Sequence, residues 1–276
     1  MALAGGIDLG GSKIEGQLFD PSSDWALIEL QTIATPNDYG ELLEALSALA
    51  GWLQNAGAAT IGLGAPGLVD EGGVLHAANH AANGQFFARD LEQAFGSAIP
   101  VLNDTRAFTL SEARLGAGRG AATLVGLVIG TGMAGAVTRG GALDAPSGQA
   151  GEFGHTAMPY DLVSEYGLPW ITCGCGRAGC YETRVAGPGI PLLSKSLNGE
   201  PSEAKARAGS PDVLAVWALL MADLIARLSV TLDPDAIVFG GGVSRMPGLR
   251  SAIADAIPSR LLAGARMPEL LRAEGG

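Results

Sequence analysis

Three cysteines stand within eight residues, in Cys173-Gly174-Cys175-Gly176-Arg177-Ala178-Gly179-Cys180, and they are all the cysteines of the chain. A histidine, His155, lies upstream in Gly151-Glu152-Phe153-Gly154-His155. Three thiolates and one imidazole make a set of four N and S ligands, which suits tetrahedral zinc. Because the protein supplies all four ligands, the site is closed and the expected role is structural rather than catalytic. A secreted disulfide scaffold would instead spread an even number of cysteines along the chain.

Glycine clusters form a second group with chemical potential. Backbone amides in a glycine-rich turn can converge on an anion, and the missing side chains let a phosphate come close. Three such clusters each close an apolar run: Gly6 to Lys13, Gly130-Thr131-Gly132, and Gly240-Gly241-Gly242. One alone is an ordinary turn as often as a ligand site, but three closing three strands point to a nucleotide. Two stretches match the letters of a dinucleotide fingerprint, Gly62 to Gly67 and Gly130 to Gly135. That fingerprint needs a helix opening at the glycines, whereas a turn and a strand come next here, which argues against a nicotinamide enzyme. Asn103-Asp104 stands where a strand meets a helix. Asp104 either caps that helix or serves as a general base at a strand end, and its residue type leaves both readings open.

These residues need a scaffold, and the apolar pattern supplies an α/β one. Strands are expected at Gly6–Leu9, Ile14–Asp20, Trp25–Thr32, Thr60–Gly64, Ile99–Asn103, Thr123–Ile129, Ala134–Thr138 and Ile237–Phe239. Helices are expected over Asp38–Asn55, Ala88–Phe95, Thr105–Leu115 and Asp212–Leu232, and the stretch from Ala145 to Pro191 reads as mostly irregular. The strand, glycine turn and second strand occur twice. This suggests an N-terminal α/β lobe over residues 1–118, with the phosphate loop and Asp104, and a C-terminal α/β lobe over 119–276 with the metal loop.

The 276 residues suffice to bury a sizeable core, and 47% of them are hydrophobic against 16% charged. A net charge of −11 argues against nucleic acid, which attracts clustered Lys and Arg. No uninterrupted apolar run approaches the roughly 18 residues of a membrane span, and Met1 to Gly6 lacks the pattern of a secretory signal. The expectation is a cytoplasmic protein without membrane contact.

With these residues in view, the chain resembles the ROK family (repressors, open reading frames and kinases), and in particular its bacterial kinases of N-acetylglucosamine, fructose and glucose. The resemblance runs through Ile7 to Lys13, Gly64-Ala65-Pro66-Gly67, Asn103-Asp104, Gly130-Thr131-Gly132, Gly151 to His155 and the Cys173 to Glu182 block. The last two are highly specific to the family. It implies a two-lobed actin, hexokinase and Hsp70 type of fold (ribonuclease H-like), with a cleft between the lobes.

The same resemblance implies an ATP-dependent kinase that phosphorylates a hexose or N-acetylhexosamine on its 6-hydroxyl. Asp104 would be the general base. Asn79, Asn103, Glu152, His155 and Glu182 would hold the sugar hydroxyls. Asp8, Gly10, Gly11, Ser12 and Lys13 with Gly130, Thr131 and Gly132 would line the ATP phosphates, Asp8 acting on Mg2+ through water. Gly241 and Gly242 would lie near the nucleoside. Zinc on His155, Cys173, Cys175 and Cys180 would orient the loop carrying Glu152 and Glu182. The resemblance also implies a homodimer. Two departures stand out: Ala134 replaces a usual glycine, and Arg106 replaces the asparagine two residues after the catalytic aspartate. The family's DNA-binding repressors carry a helix-turn-helix ahead of the phosphate loop, and with five residues before Gly6 none is expected here. The alternative is a catalytically weak sugar-binding or regulatory protein of the same family, without that domain.

Overall fold

The computed structural model of the chain describes residues 2–77, 80–145, 148–198 and 210–274. Its contacts divide it into two compact units, Met1–Ala107 with Pro146–Gln149, and Phe108–Ala145 with Ala150–Gly276.

The first unit is built on β1 (Leu3–Leu9), β2 (Lys13–Asp20), β3 (Ala26–Ala34), α1 (Tyr39–Asn55) and β4 (Ala58–Ala65). A short hairpin comes next, β5 (Leu68–Val69) and β6 (Leu75–His76), and then α2 (Phe87–Phe95) and β7 (Val101–Asn103). The sheet order is β3-β2-β1-β4-β7, with β1, β4 and β7 parallel and β2 and β3 antiparallel. Alternation explains its inner face: Ile7, Leu9, Ile14, Leu18 and Leu63 are buried. Against them α1 sets Leu42, Leu46, Leu49 and Leu53, spaced three or four residues apart so that they share one stripe. Its start is fixed by Asp38, whose side chain accepts the Glu41 N–H at 3.0 Å. Truncating Leu46, fully buried, to alanine costs about 2–5 kcal/mol.

Helix α3 (Asp104–Arg114) begins in the first unit and continues beyond Ala107 into the second. The second unit then contains β8 (Thr123–Ile129), β9 (Met133–Arg139), β10 (Ala142–Leu143), α4 (Tyr160–Glu165), α5 (Glu182–Val185) and α6 (Gly189–Asn198). After these come α7 (Pro211–Leu232), β11 (Ala236–Gly240), α8 (Leu249–Ala256) and β12 (Glu269–Arg272). The sheet order is β10-β9-β8-β11-β12, with β8, β11 and β12 parallel. Among the described residues α7 is long and apolar enough to cross a membrane, yet 61% of its most apolar window is buried inside the protein. It is the core helix of this unit, and Trp217 at its centre donates its indole N–H to the Val185 carbonyl at 2.9 Å.

Residues 145–191 are mostly irregular, as expected, and among the described residues they hold three short α-helical pieces, α4, α5 and the start of α6. Helices of four and six residues span too few turns for an apolar period to show. The structure also adds β12, where no strand is expected. Gly67 opens the β5–β6 hairpin and Gly135 lies within β9, so no helix starts at either dinucleotide-like match.

Candidate functional site

In the first unit two aspartates stand at the carboxyl end of the parallel strands. Asp8 pairs in register with Gly64 of β4, and Gly64 with Leu102 of β7, two residues before Asp104. A Cβ at Gly64 would lie 4.0 Å from Asp8 Oδ1 and 3.8 Å from the Ala107 side chain, ordinary contact distances, so this glycine lies directly beside both. The capping question at Asn103-Asp104 is decided by hydrogen bonds. Asn103 Oδ1 accepts the Arg106 N–H at 3.2 Å, the bond of an N-cap residue to the third residue of its helix. Its amide donates to the Gly67 carbonyl at 3.0 Å. Asn103 is therefore the cap, while Asp104 accepts the N–H of its neighbour Thr105 at 2.6 Å.

Both aspartates retain solvent-exposed surface, yet dense protein atoms around the carboxylates withdraw water from them. That desolvation raises the pKa of Asp104 above its ordinary 3.8, against lowering by the Thr105 N–H and hydroxyl, Asn103 and the Arg106 charge. At Asp8 the same desolvation comes first, the negative charges of Asp104 and Glu15 add to it, and Lys13 partly offsets them. Arg106 is buried and donates to the Gly148 carbonyl at 2.6 Å, a role that sequence alone did not reveal. Beside Asp8, the Gly10–Ser12 turn is tied by Gly10 N–H to the Lys13 carbonyl at 3.0 Å and by the Thr35 hydroxyl to the Gly10 carbonyl at 2.7 Å. Gly11 faces open space, and Lys13 pairs with Glu15 at 2.7 Å. Asn79 lies outside the described residues.

In the second unit the two other glycine turns come together. Gly130-Thr131-Gly132 links β8 to β9, closed by Gly130 N–H on the Gly132 carbonyl at 2.9 Å. Gly241, at φ +80°, lies so close to the end of β8 that a Cβ would stand 2.4 Å from the Ile129 carbonyl oxygen. Gly187 adds a third glycine, its N–H donating to the Gly130 carbonyl at 2.8 Å. No sequence motif marks Gly187. Gly242 faces open space.

The four metal-type residues also converge in this unit. Their ligand atoms lie within 4.8 Å of one another, with His155 Nδ1 3.5 Å from Cys173 Sγ and Cys175 Sγ 3.6 Å from Cys180 Sγ. Ideal tetrahedral zinc would hold sulfurs about 3.8 Å apart and sulfur from nitrogen about 3.6 Å apart, so both the donor set and the spacing fit. Burial pushes the Cys173 thiol up and the Cys180 thiol up to about 12, whereas a backbone N–H from Arg177 leads the lowering of exposed Cys175 to about 6. The His155 ring has a carboxylate at each end. Glu182 Oε1 lies 4.0 Å from Nδ1, and Glu152 Oε2 4.0 Å from Nε2. Their loop is pressed onto β9, where a Cβ at Gly151 would stand 1.9 Å from the Gly135 carbonyl oxygen.

Two α/β units, glycine turns at the carboxyl ends of their strands and an aspartate released from capping define a protein of the two-lobed actin and hexokinase class. The chain belongs to the ROK family, whose profile matches residues 4–275. It is 33% identical to the N-acetylgalactosamine kinase AgaK of Shewanella sp. (strain ANA-3), over 98% of this chain and 92% of that protein. It is 32% identical to the N-acetyl-D-glucosamine kinase of Vibrio cholerae, over 98% and 94%. Among solved structures, a ROK family glucokinase from Streptomyces griseus, in complex with glucose and AMPPNP, superposes with a TM-score of 0.78. That likeness covers 99% of this chain and 95% of the glucokinase at 26% identity. At the level of the family, these relationships support an ATP-dependent sugar or aminosugar kinase.

Proposed function

We propose that the chain transfers the γ-phosphoryl group of ATP to the 6-hydroxyl of an N-acetylhexosamine or hexose, with Asp104 as general base. The observation that carries this reading is the division of labour at Asn103-Asp104: Asn103 caps α3, which leaves the Asp104 carboxylate for chemistry. N-acetylhexosamines come first because the two curated relatives above act on them.

Phosphoryl transfer leaves little covalent work for the protein, so positioning and charge neutralisation dominate. Asp104 accepts the proton of the attacking hydroxyl. Glu152, His155 and Glu182 hold sugar hydroxyls, joined by Asn103 and Asn79. The amides of Gly10, Gly11 and Ser12 with Lys13, and those of Gly130, Thr131 and Gly132, receive the phosphates, while Gly241 and Gly242 border the nucleoside. Asp8 would hold Mg2+ through water, and the metal would neutralise charge on the β- and γ-phosphates. His155, Cys173, Cys175 and Cys180 would hold zinc, which supplies rigidity to the loop bearing Glu152 and Glu182. The test is ATP turnover against N-acetylglucosamine, N-acetylgalactosamine, N-acetylmannosamine, glucose, mannose and fructose, with phosphorus NMR of the product. Phosphorylation of none of them, or at a position other than O6, contradicts the proposal.

A further inference from the structure

Glu182 opens α5 two residues after Cys180, and its two carboxylate oxygens are committed to different neighbours. Oε1 lies 3.5 Å from Cys173 Sγ and 4.0 Å from His155 Nδ1, on the side of the metal-type cluster. Oε2 accepts the N–H of Met133 at 2.9 Å. Met133 is the first residue of β9 and stands directly after the Gly130–Gly132 turn. The fit is close enough that a Cβ at Gly132 would stand 2.8 Å from the same Oε2. One carboxylate, itself a proposed sugar ligand, thus spans from the metal-type cluster to the turn proposed to receive phosphates, within a single unit of the protein.

We propose that Glu182 couples the two substrates, so that occupancy by sugar strengthens binding of the nucleotide and the reverse. The inference rests on the kinase reading above and adds to it a regulation of the same site. Two physical effects act in the same direction. A carboxylate alongside a phosphate-binding turn presents like charge to the incoming anion, and a sugar hydroxyl donating to Oε1 draws part of that charge away. The same hydroxyl fixes the side-chain rotamer, which fixes the Met133 N–H and with it the turn. A coupling of this kind is reciprocal: the factor by which sugar improves nucleotide affinity equals the factor by which nucleotide improves sugar affinity.

The test is calorimetric titration of the full chain with AMPPNP and Mg2+, without and with saturating N-acetylglucosamine, and the reverse titration. Wild type is expected to show a coupling factor of about 5 or more, the low end of the usual range. Glu182→Gln keeps an oxygen to accept the Met133 N–H but removes the charge, and the factor should fall below about 2. Gly132→Ala keeps the identity of every proposed sugar ligand, and its new methyl group displaces the Glu182 carboxylate alone among them. It should lower the factor in the same way, and the double variant should lose nothing further. Unchanged melting temperatures and circular dichroism would show that the variants are folded. A wild-type factor of 1, or a wild-type factor retained in Glu182→Gln or Gly132→Ala, overturns the coupling and leaves the kinase reading standing. Failure of wild type to bind AMPPNP at all overturns the kinase reading, and the coupling with it.

Discussion

Asp104 places a negative charge near enough to Asp8 to raise the Asp8 pKa, although the two sit on different strand ends with β4 between them. Repulsion of this kind belongs to the pair, and it is expressed at whichever carboxyl ionises second. Two crowded, like-charged carboxylates at neutral pH oppose folding, so their retention needs a reason outside stability, and cation-assisted phosphoryl transfer supplies one.

The first prediction rests on that opposition. Asp104→Asn should lower kcat by about 10²–10⁴-fold, the usual worth of a positioned general base, with the sugar dissociation constant changed little. The same variant should melt at a higher temperature than wild type, because the Asp8 carboxylate loses its like-charged neighbour. Steady-state kinetics and differential scanning calorimetry together check it. A kcat within a few-fold of wild type would remove Asp104 from the mechanism.

pH dependence is the second. Folding raises the pKa of Asp8 and Asp104 above 3.8, so it favours their protonated forms. Their contribution to stability is full below about pH 3.8 and is lost as pH rises through the folded-state values. Activity moves the opposite way, since the base must be ionised. The acid limb of the kcat/KM profile should therefore lie above the pH of an ordinary aspartate and coincide with this loss of stability. A limb at or below pH 3.8 would contradict the desolvation of Asp104.

Glycine substitutions separate packing from ligand approach, which makes the third prediction. Gly11 faces open space, so Gly11→Ala should fold with an unchanged melting temperature and still raise KM for ATP several-fold, with KM for sugar held. At Gly241 the left-handed φ and the 2.4 Å approach to Ile129 make even a methyl group a backbone clash. Gly241→Ala should therefore cost about 1–3 kcal/mol of stability. Urea denaturation of both variants, alongside ATP kinetics, checks the pair. A Gly11→Ala enzyme with wild-type ATP kinetics would mean that no phosphate passes that turn.

How much of this was legible in the sequence depends on the range of the interaction. The strands and long helices were readable because Leu42, Leu46, Leu49 and Leu53 repeat within a few turns, and Ile7 and Leu9 alternate within one strand. The four metal-type residues were readable from ligand type and spacing. The cap was not, because Asn103 and Asp104 are both good N-cap residues, and only the Arg106 N–H bond to Asn103 distinguishes them. Nor could the bond from Met133 to Glu182 be read, since 49 residues separate the partners and neither type announces the other. Gly187 was likewise invisible, as its use is a backbone N–H donated to the Gly130 carbonyl, and any residue but proline carries that group.

The last prediction concerns the metal and divides structure from chemistry. One zinc per chain should copurify with the protein, bound by His155 Nδ1 and the three sulfurs in a closed tetrahedron. The nitrogen assignment comes from geometry: Nδ1 is the ring atom 3.5 Å from Cys173 Sγ, while Nε2 faces Glu152. Cys175 is the exposed ligand, so Cys175→Ser disturbs the least packing and tests the metal most directly. It should lose zinc and raise KM for sugar by an order of magnitude or so, because the loop that carries Glu152 and Glu182 loses its brace. Nucleotide binding measured without sugar should change much less, since the Gly130–Gly132 and Gly241 turns also have backbone contacts of their own with Gly187 and Ile129. Elemental analysis after purification without chelators gives the stoichiometry, and parallel titrations with sugar and AMPPNP give the split. Clearly substoichiometric zinc in wild type would count against the site. Zinc removal that abolished the chemical step with sugar affinity unchanged would overturn the closed-site reading and make the metal catalytic.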